Sequence, residues 1–97
     1  MNITTTDPLV QDFLTAWHEN GRAPFERWTP NLVYDDYEPK HAEDRKKYIA
    51  LDRGSSGAFL LDKATGAVYS IKAYGKPNRA IGHIAELTAK YRAATTK

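Results

Sequence analysis

The sequence predicts an α+β domain in the order N-terminal helix, aromatic loop, three-stranded antiparallel meander and C-terminal helix. Three patterns lead there. Apolar residues recur at helical spacing near both ends of the chain, their period changes to two from residue 46 onward, and a proline- and aromatic-rich stretch separates the two regimes. At 97 residues the chain is expected to form a single domain over 1–97, since one domain typically holds roughly 100–200 residues.

The first helix is expected over 7–20. Asp7 is a capping residue, Pro8 suits the first helical position and Gly21 suits the position after the last turn. Leu9, Phe13 and Trp17 recur every four residues with Val10 and Leu14 beside them, which predicts one core-facing stripe. Between 21 and 44, Pro24, Pro30 and Pro39 interrupt any long element, and Phe25, Trp28, Tyr34 and Tyr37 predict an ordered loop that lays its rings on the sheet. Within it, "PFERW" suits a single helical turn and "NLVYDDY" a short extended segment.

Three strands follow. "KKYIALD" alternates, "DRGSSG" connects, and "GAFLLDKATGAVYSIKAY" reads as a hairpin whose turn is opened by Asp62 and closed by Gly66 at positive φ. Ala67, Tyr69, Ile71 and Ala73 share one strand face; Val68, Ser70, Lys72 and Tyr74 share the other, which is the more polar and is expected to be the wetter. "YGKPNR" is expected to turn the chain into a second helix over 80–94, with Asn78 as its cap, Gly82 weakening its first turn, and Ile81, Ile84, Leu87, Thr88 and Tyr91 at helical spacing. Both helices would cover one face of the sheet and leave the other wet.

Composition narrows the function classes. The chain is 41% hydrophobic and 27% charged, a globular balance. It has no apolar run long enough to span a membrane, no basic and apolar leader in "MNITTTDPLV", and no cysteine. We therefore expect a cytoplasmic protein without membrane contact or a thiolate metal site. The net charge of +2 conceals a split: residues 1–44 carry nine acids against three bases, and residues 45–97 carry eleven bases against three acids. Such polarity points to an anionic partner for the basic half, or to two halves that neutralise each other on packing.

No catalytic or cofactor motif emerges. "GSSG" lacks the length, the Lys-Ser/Thr ending and the following helix of a phosphate loop. "YDDYEPKHAED" lacks the central glycine and alternating ligands of a calcium loop, and no histidine pair has zinc spacing, so it reads as a solvated acidic loop. Ser55, Ser56 and Ser70 stand in no recognisable nucleophile turn; a hydrolase would need His41 or His83 to meet a carboxylate in a cleft. The expectation is a non-enzymatic chain with no cofactor and no metal.

The basic half carries the candidate contact surface. Arg53 ends the first strand, and Lys72, Lys76 and Arg79 cluster at the end of the third, which in a meander is the same end of the sheet. Gly75, Pro77 and Asn78 are accounted for by chain reversal; Lys72, Tyr74, Lys76 and Arg79 are not. With Arg53 and Asn78 they form the expected partner-binding set. The leading partner is a protein or a second copy of the chain, on the wet sheet face or the aromatic loop. The alternative is single-stranded nucleic acid or RNA, since lysine and arginine interleaved with tyrosine suit a phosphate backbone and stacked bases.

The segment "GSSGAFLLDKATGAVYSIKAYGKPNRAIGHI" resembles a segment of small proteins encoded by bacteriophages and related mobile elements, which share a GAF/Y…D..TG.VY.IKAYG.PN pattern. The resemblance spans roughly residues 47–84 and leaves the first 44 outside it. It implies a phage-encoded accessory protein (a virion part, a host-takeover factor or an inhibitor of a defence system) acting in the host cytoplasm, and it carries no catalytic residues with it.

Overall fold

The chain forms an N-terminal helix, a five-stranded antiparallel meander and a C-terminal helix that packs on the first. The structure is a computed structural model and describes residues 2–37, 39–54, 56–73 and 76–95, with the backbone only at Tyr37. The elements are α1 (Pro8–Trp28), α2 (Tyr34–Tyr37), β1 (Lys40–Asp44), β2 (Tyr48–Arg53), β3 (Ser56–Asp62), β4 (Ala67–Ala73), β5 (Lys76–His83) and α3 (Ile84–Thr95).

Helix α1 begins as its sequence requires. The Asp7 carboxylate accepts the Leu9 N–H at 2.9 Å, and Pro8 occupies the first turn, where it forfeits no bond. It does not stop at Gly21. That residue stays helical, since among the described residues the positive-φ glycines are Gly54, Gly66 and Gly82, so no left-handed cap forms there. Pro24 is carried inside the helix, and the end comes at Thr29, whose N–H and hydroxyl both donate to the Phe25 carbonyl at 2.8 and 2.7 Å. The expected turn "PFERW" is thus the end of α1. The buried stripe is Val10, Phe13, Ala16 and Trp17, while Leu9 is exposed.

The three expected strands are β2, β3 and β4, paired in antiparallel order. The hairpin turn forms as read: Gly66 has φ +80°, its N–H donates to the Asp62 carbonyl at 2.9 Å, and the Asp62 carboxylate accepts Ala64 N–H at 2.8 Å. The sheet is wider than expected because an edge strand joins each side. β1 pairs with β2 through the stretch read as an acidic loop, and β5 pairs with β4 through the stretch read as a turn and the start of a helix. Gly82 is therefore opposite Val68 in the sheet rather than in a helix. Helix α3 starts four residues later than expected, and its cap is His83, not Asn78. His83 Nδ1 accepts the Ala85 N–H and Glu86 Oε1 accepts the His83 N–H, both at 3.1 Å, a reciprocal capping box.

The core lies between the helices and one sheet face. Val10, Phe13 and Trp17 of α1 and Ile84 of α3 pack on Ile49, Leu51, Leu61 and Val68. Phe59 meets the rings of Trp17 and Phe13 at 5.2 and 6.0 Å. The expected faces of β4 are reversed in consequence. Val68 is fully buried on the helix side, and only further along does that face reach solvent, at Lys72. The opposite face carries Tyr69 and Ile71, half-buried; on it Tyr48 and Tyr69 meet edge to face at 6.1 Å beside the buried Ala50 and Leu60. It is drier than a solvated sheet face.

Candidate functional site

Edge strand β5 holds half of the expected contact residues. Lys76, Asn78 and Arg79 are exposed along it, and Lys72 is exposed on its neighbour β4. Among the described residues none of the three cations pairs with a carboxylate. Tyr74 lies outside the described residues. The residues not needed for a turn have a second explanation here. An edge strand with Lys76, Pro77 and Arg79, broken by register shifts against β4, resists pairing with another sheet. Arg53 stands apart. β3 separates its strand from β4 by two interstrand spacings of about 4.8 Å each, and its guanidinium lies over the Trp17 ring, 5.6 Å from the centroid.

A second constellation, absent from the expected set, joins α1, α2 and β1. It starts from Tyr34, which is 3% exposed. Its ring stacks on His18 with centroids 4.3 Å apart, and its hydroxyl donates to the His18 carbonyl at 2.8 Å and accepts from Lys40 Nζ at 3.1 Å. Lys40 Nζ also donates to His18 Nδ1 at 3.3 Å, which assigns the ring proton to Nε2, and Nε2 donates to Asp35 at 2.8 Å. Arg22 completes the group, bonding Asp35 at 2.6 Å and forking onto Glu19 at 2.8 and 2.9 Å. The described acids of the segment stay exposed as expected, but the segment is not a loop, and "NLVYDDY" is not extended. It closes into α2 and is clamped to the helix. Its aromatic anchor rests on α1, not on the sheet.

The clamp has electrostatic consequences. Hydrogen bonds from His18 and then Arg22 hold the Asp35 carboxyl below its ordinary value of 3.8, and the bond from Arg22 holds Glu19 below 4.5. The same two carboxylates raise the Arg22 guanidinium above its own ordinary range. A carboxylate depressed in the folded state contributes stability that is complete above its unfolded value and fades as pH falls through the lower folded one. Acidification below 4.5 and then 3.8 should loosen α2. Urea melts at pH 5 and pH 3 check this: Asp35→Asn should lose less stability between the two than the wild type, and equal losses would refute the clamp.

Gly21 makes the close approach possible. A methyl there would sit 2.5 Å from the Tyr34 hydroxyl oxygen, while the next ring atom is at 3.5 Å. Replacing a helical glycine by alanine ordinarily stabilises by about 1 kcal/mol. Overpacking costs about 1–3 kcal/mol, so Gly21→Ala should be net destabilising by about 1 kcal/mol. In a Tyr34→Phe background the clashing atom is gone and the sign should reverse, which urea midpoints of the four proteins would reveal.

The clamp is poorly suited to catalysis. Both His18 ring nitrogens are committed, one to Asp35 and one to Lys40, which leaves neither to take a proton from a substrate in the groove of about 390 Å³ that His18, Asp35 and Lys40 help to line. His41 does meet a carboxylate, Asp52, at 3.6 Å, but from a half-exposed place on the sheet face away from the helices. His83 is occupied as the α3 cap. Among the described residues no three His, Asp or Glu side chains gather to hold a metal, and no helix is long and apolar enough to cross a membrane.

What the clamp does is fix a protruding tip. Asn20 bonds Thr95 at 3.5 Å, so the last two turns of α1 continue past the described end of α3. At their end Trp28 is 82% exposed, followed by Leu32 at 44% and Val33 at 64%. Sequence reasoning placed Trp28 on the sheet; it points to solvent instead. Spacing gave no signal for this, since Phe25 and Pro24 stand three and four positions before it as they would in a buried stripe; only the polar Glu26 and Arg27 next to it point toward solvent. No protein-family model matches the chain, and no curated protein or solved structure matches it.

Proposed function

We propose that this is a small non-enzymatic binding protein that acts by occupying the surface of a protein partner, with the tip of α1 as the inserting element. The observation that carries this reading is Trp28, four-fifths exposed on a helix end whose neighbour α2 is clamped by buried Tyr34 and an ionic network. Exposed tryptophan on a rigid support is the side chain most enriched among interface residues that dominate affinity. Glu26 and Arg27 next to it in the chain are both exposed, so the matching surface is an apolar pocket with a polar rim of mixed charge. The resemblance of residues 47–84 to phage-encoded proteins supports an accessory role in a host cytoplasm.

A second reading rests on β4 and β5. Lys72, Lys76 and Arg79 are exposed cations without carboxylate partners among the described residues, with Asn78 beside them, and such a row suits the backbone of single-stranded nucleic acid or RNA. Affinity capture from bacterial host lysate, with and without nuclease, separates the two. The protein reading requires a partner that survives nuclease and is lost with Trp28→Ala; capture abolished by nuclease supports the other.

A further inference from the structure

Lys40 and Arg53 form a like-charged pair of which the clamp accounts for Lys40 alone. They are direct partners in the β1–β2 register and so project side by side from one sheet face. Like charges directly opposite on paired strands are unfavourable, and exposed cations usually splay apart to relieve this. Here they converge. The Lys40 ammonium lies 5.5 Å and the Arg53 guanidinium 5.6 Å from the centroid of the same Trp17 ring. Both line one pocket of about 290 Å³, together with Asn20, Tyr34 and Tyr91, and among the described residues no acidic side chain lines it. Among the described residues the Arg53 guanidinium has neither a hydrogen-bond nor an ion-pair partner.

We propose that this pocket binds an oxyanion, the phosphate or carboxylate group of a small ligand, between Lys40 and Arg53. The donors suit that chemistry. Arginine presents a planar fork that bonds two oxygens of one anion, and lysine adds a compact charge beside it. The Asn20 amide and the Tyr91 hydroxyl supply neutral donors from the helices. Burial raises the Tyr91 pKa, which keeps the hydroxyl protonated. The anion would offset the cross-strand repulsion, and the pocket is near the lower bound of about 300 Å³ for small-molecule sites. The pocket shares Lys40 and Tyr34 with the clamp, but its test turns on Arg53, so it stands or falls without the Trp28 tip.

Calorimetric titration of the intact chain with inorganic phosphate and with acetate, each at an ionic strength matched by chloride, tests the assignment. The expected result is a Kd of about 1 mM for at least one of the two, tenfold or more weaker in Arg53→Gln, largely retained in Arg53→Lys and unchanged in Lys72→Gln. Phosphate above acetate assigns a phosphate ligand, and the reverse order a carboxylate. No heat beyond the chloride control overturns the proposal, as does an equal loss in Arg53→Gln and Lys72→Gln, which would mean diffuse charge. A thermal melt of each variant confirms that a lost titration is not a lost fold.

Discussion

Gly66→Val should lower the unfolding midpoint by about 15 °C. Gly66 sits at φ +80° in the β3–β4 turn, where a β-branched residue is disfavoured. Strain of that kind costs on the order of 1–3 kcal/mol. The new side chain would also run into the His83 imidazole, and that ring caps α3 through the Ala85 N–H. Displacing a cap costs a further ~1 kcal/mol. The Gly66 carbonyl accepts the Ile84 N–H at 2.9 Å, so the hairpin turn and the start of α3 are one unit. A total of about 3 kcal/mol converts at about 4–8 °C per kcal/mol for a chain of this size. Gly54→Val is the control, because Gly54 has φ +57° with nothing within 4 Å of its added Cβ. It should show strain alone. Equal midpoints for the two variants would remove the His83 contact from the argument, and an unchanged midpoint for Gly66→Val would mean the turn is wrongly assigned.

That turn was legible because its chemistry is local: an Asx carboxylate, a glycine at positive φ and two apolar runs of period two lie within a few residues. The start of α1 was legible for the same reason. The edge strands were not. Strand β1 is Lys-His-Ala-Glu-Asp with only Ala42 against the core, and β5 contains proline, asparagine and glycine. An unpaired edge tolerates exactly the residues that sequence reasoning uses as evidence against a strand. Gly21 and Pro24 misled in a related way. Both often end helices, yet α1 runs through them, and at Gly21 the missing Cβ leaves room for Tyr34, a contact thirteen residues away along the chain.

The candidate site divides along the same line. Lys72, Lys76, Asn78 and Arg79 are exposed as expected, since charge on a solvent-facing strand needs no tertiary information. Their grouping with Arg53 was inferred from strand order and direction, which fix the end of the sheet but not what covers each strand there. Arg53 instead faces Lys40 across β1, a strand the sequence did not reveal. The clamp of His18, Arg22, Tyr34, Asp35 and Lys40 joins residues from three elements and has no spacing to read.

Trp28→Ala should abolish most partner binding while leaving the fold intact. At 82% exposure Trp28 contributes little to the core, and surface substitutions of that kind stay within about 0.5 kcal/mol. A buried tryptophan removes on the order of 200 Å² from water, worth about 5 kcal/mol at ~25 cal/mol/Å² before ordering costs. Interface residues of this type cost about 2 kcal/mol or more on truncation, which is about thirtyfold in affinity. The pair of measurements is what discriminates: a melting curve matching the wild type beside a thirtyfold loss of captured partner identifies a contact residue. A drop in stability of similar size would show that Trp28 packs against the molecule itself. If Trp28→Ala binds as well as the wild type while Lys76→Ala and Arg79→Ala each weaken capture, the edge strand is the working surface. Its salt dependence then identifies the partner: three phosphate contacts on a single strand give a log–log slope of about −2, whereas an apolar pocket holding Trp28 gives a slope close to zero.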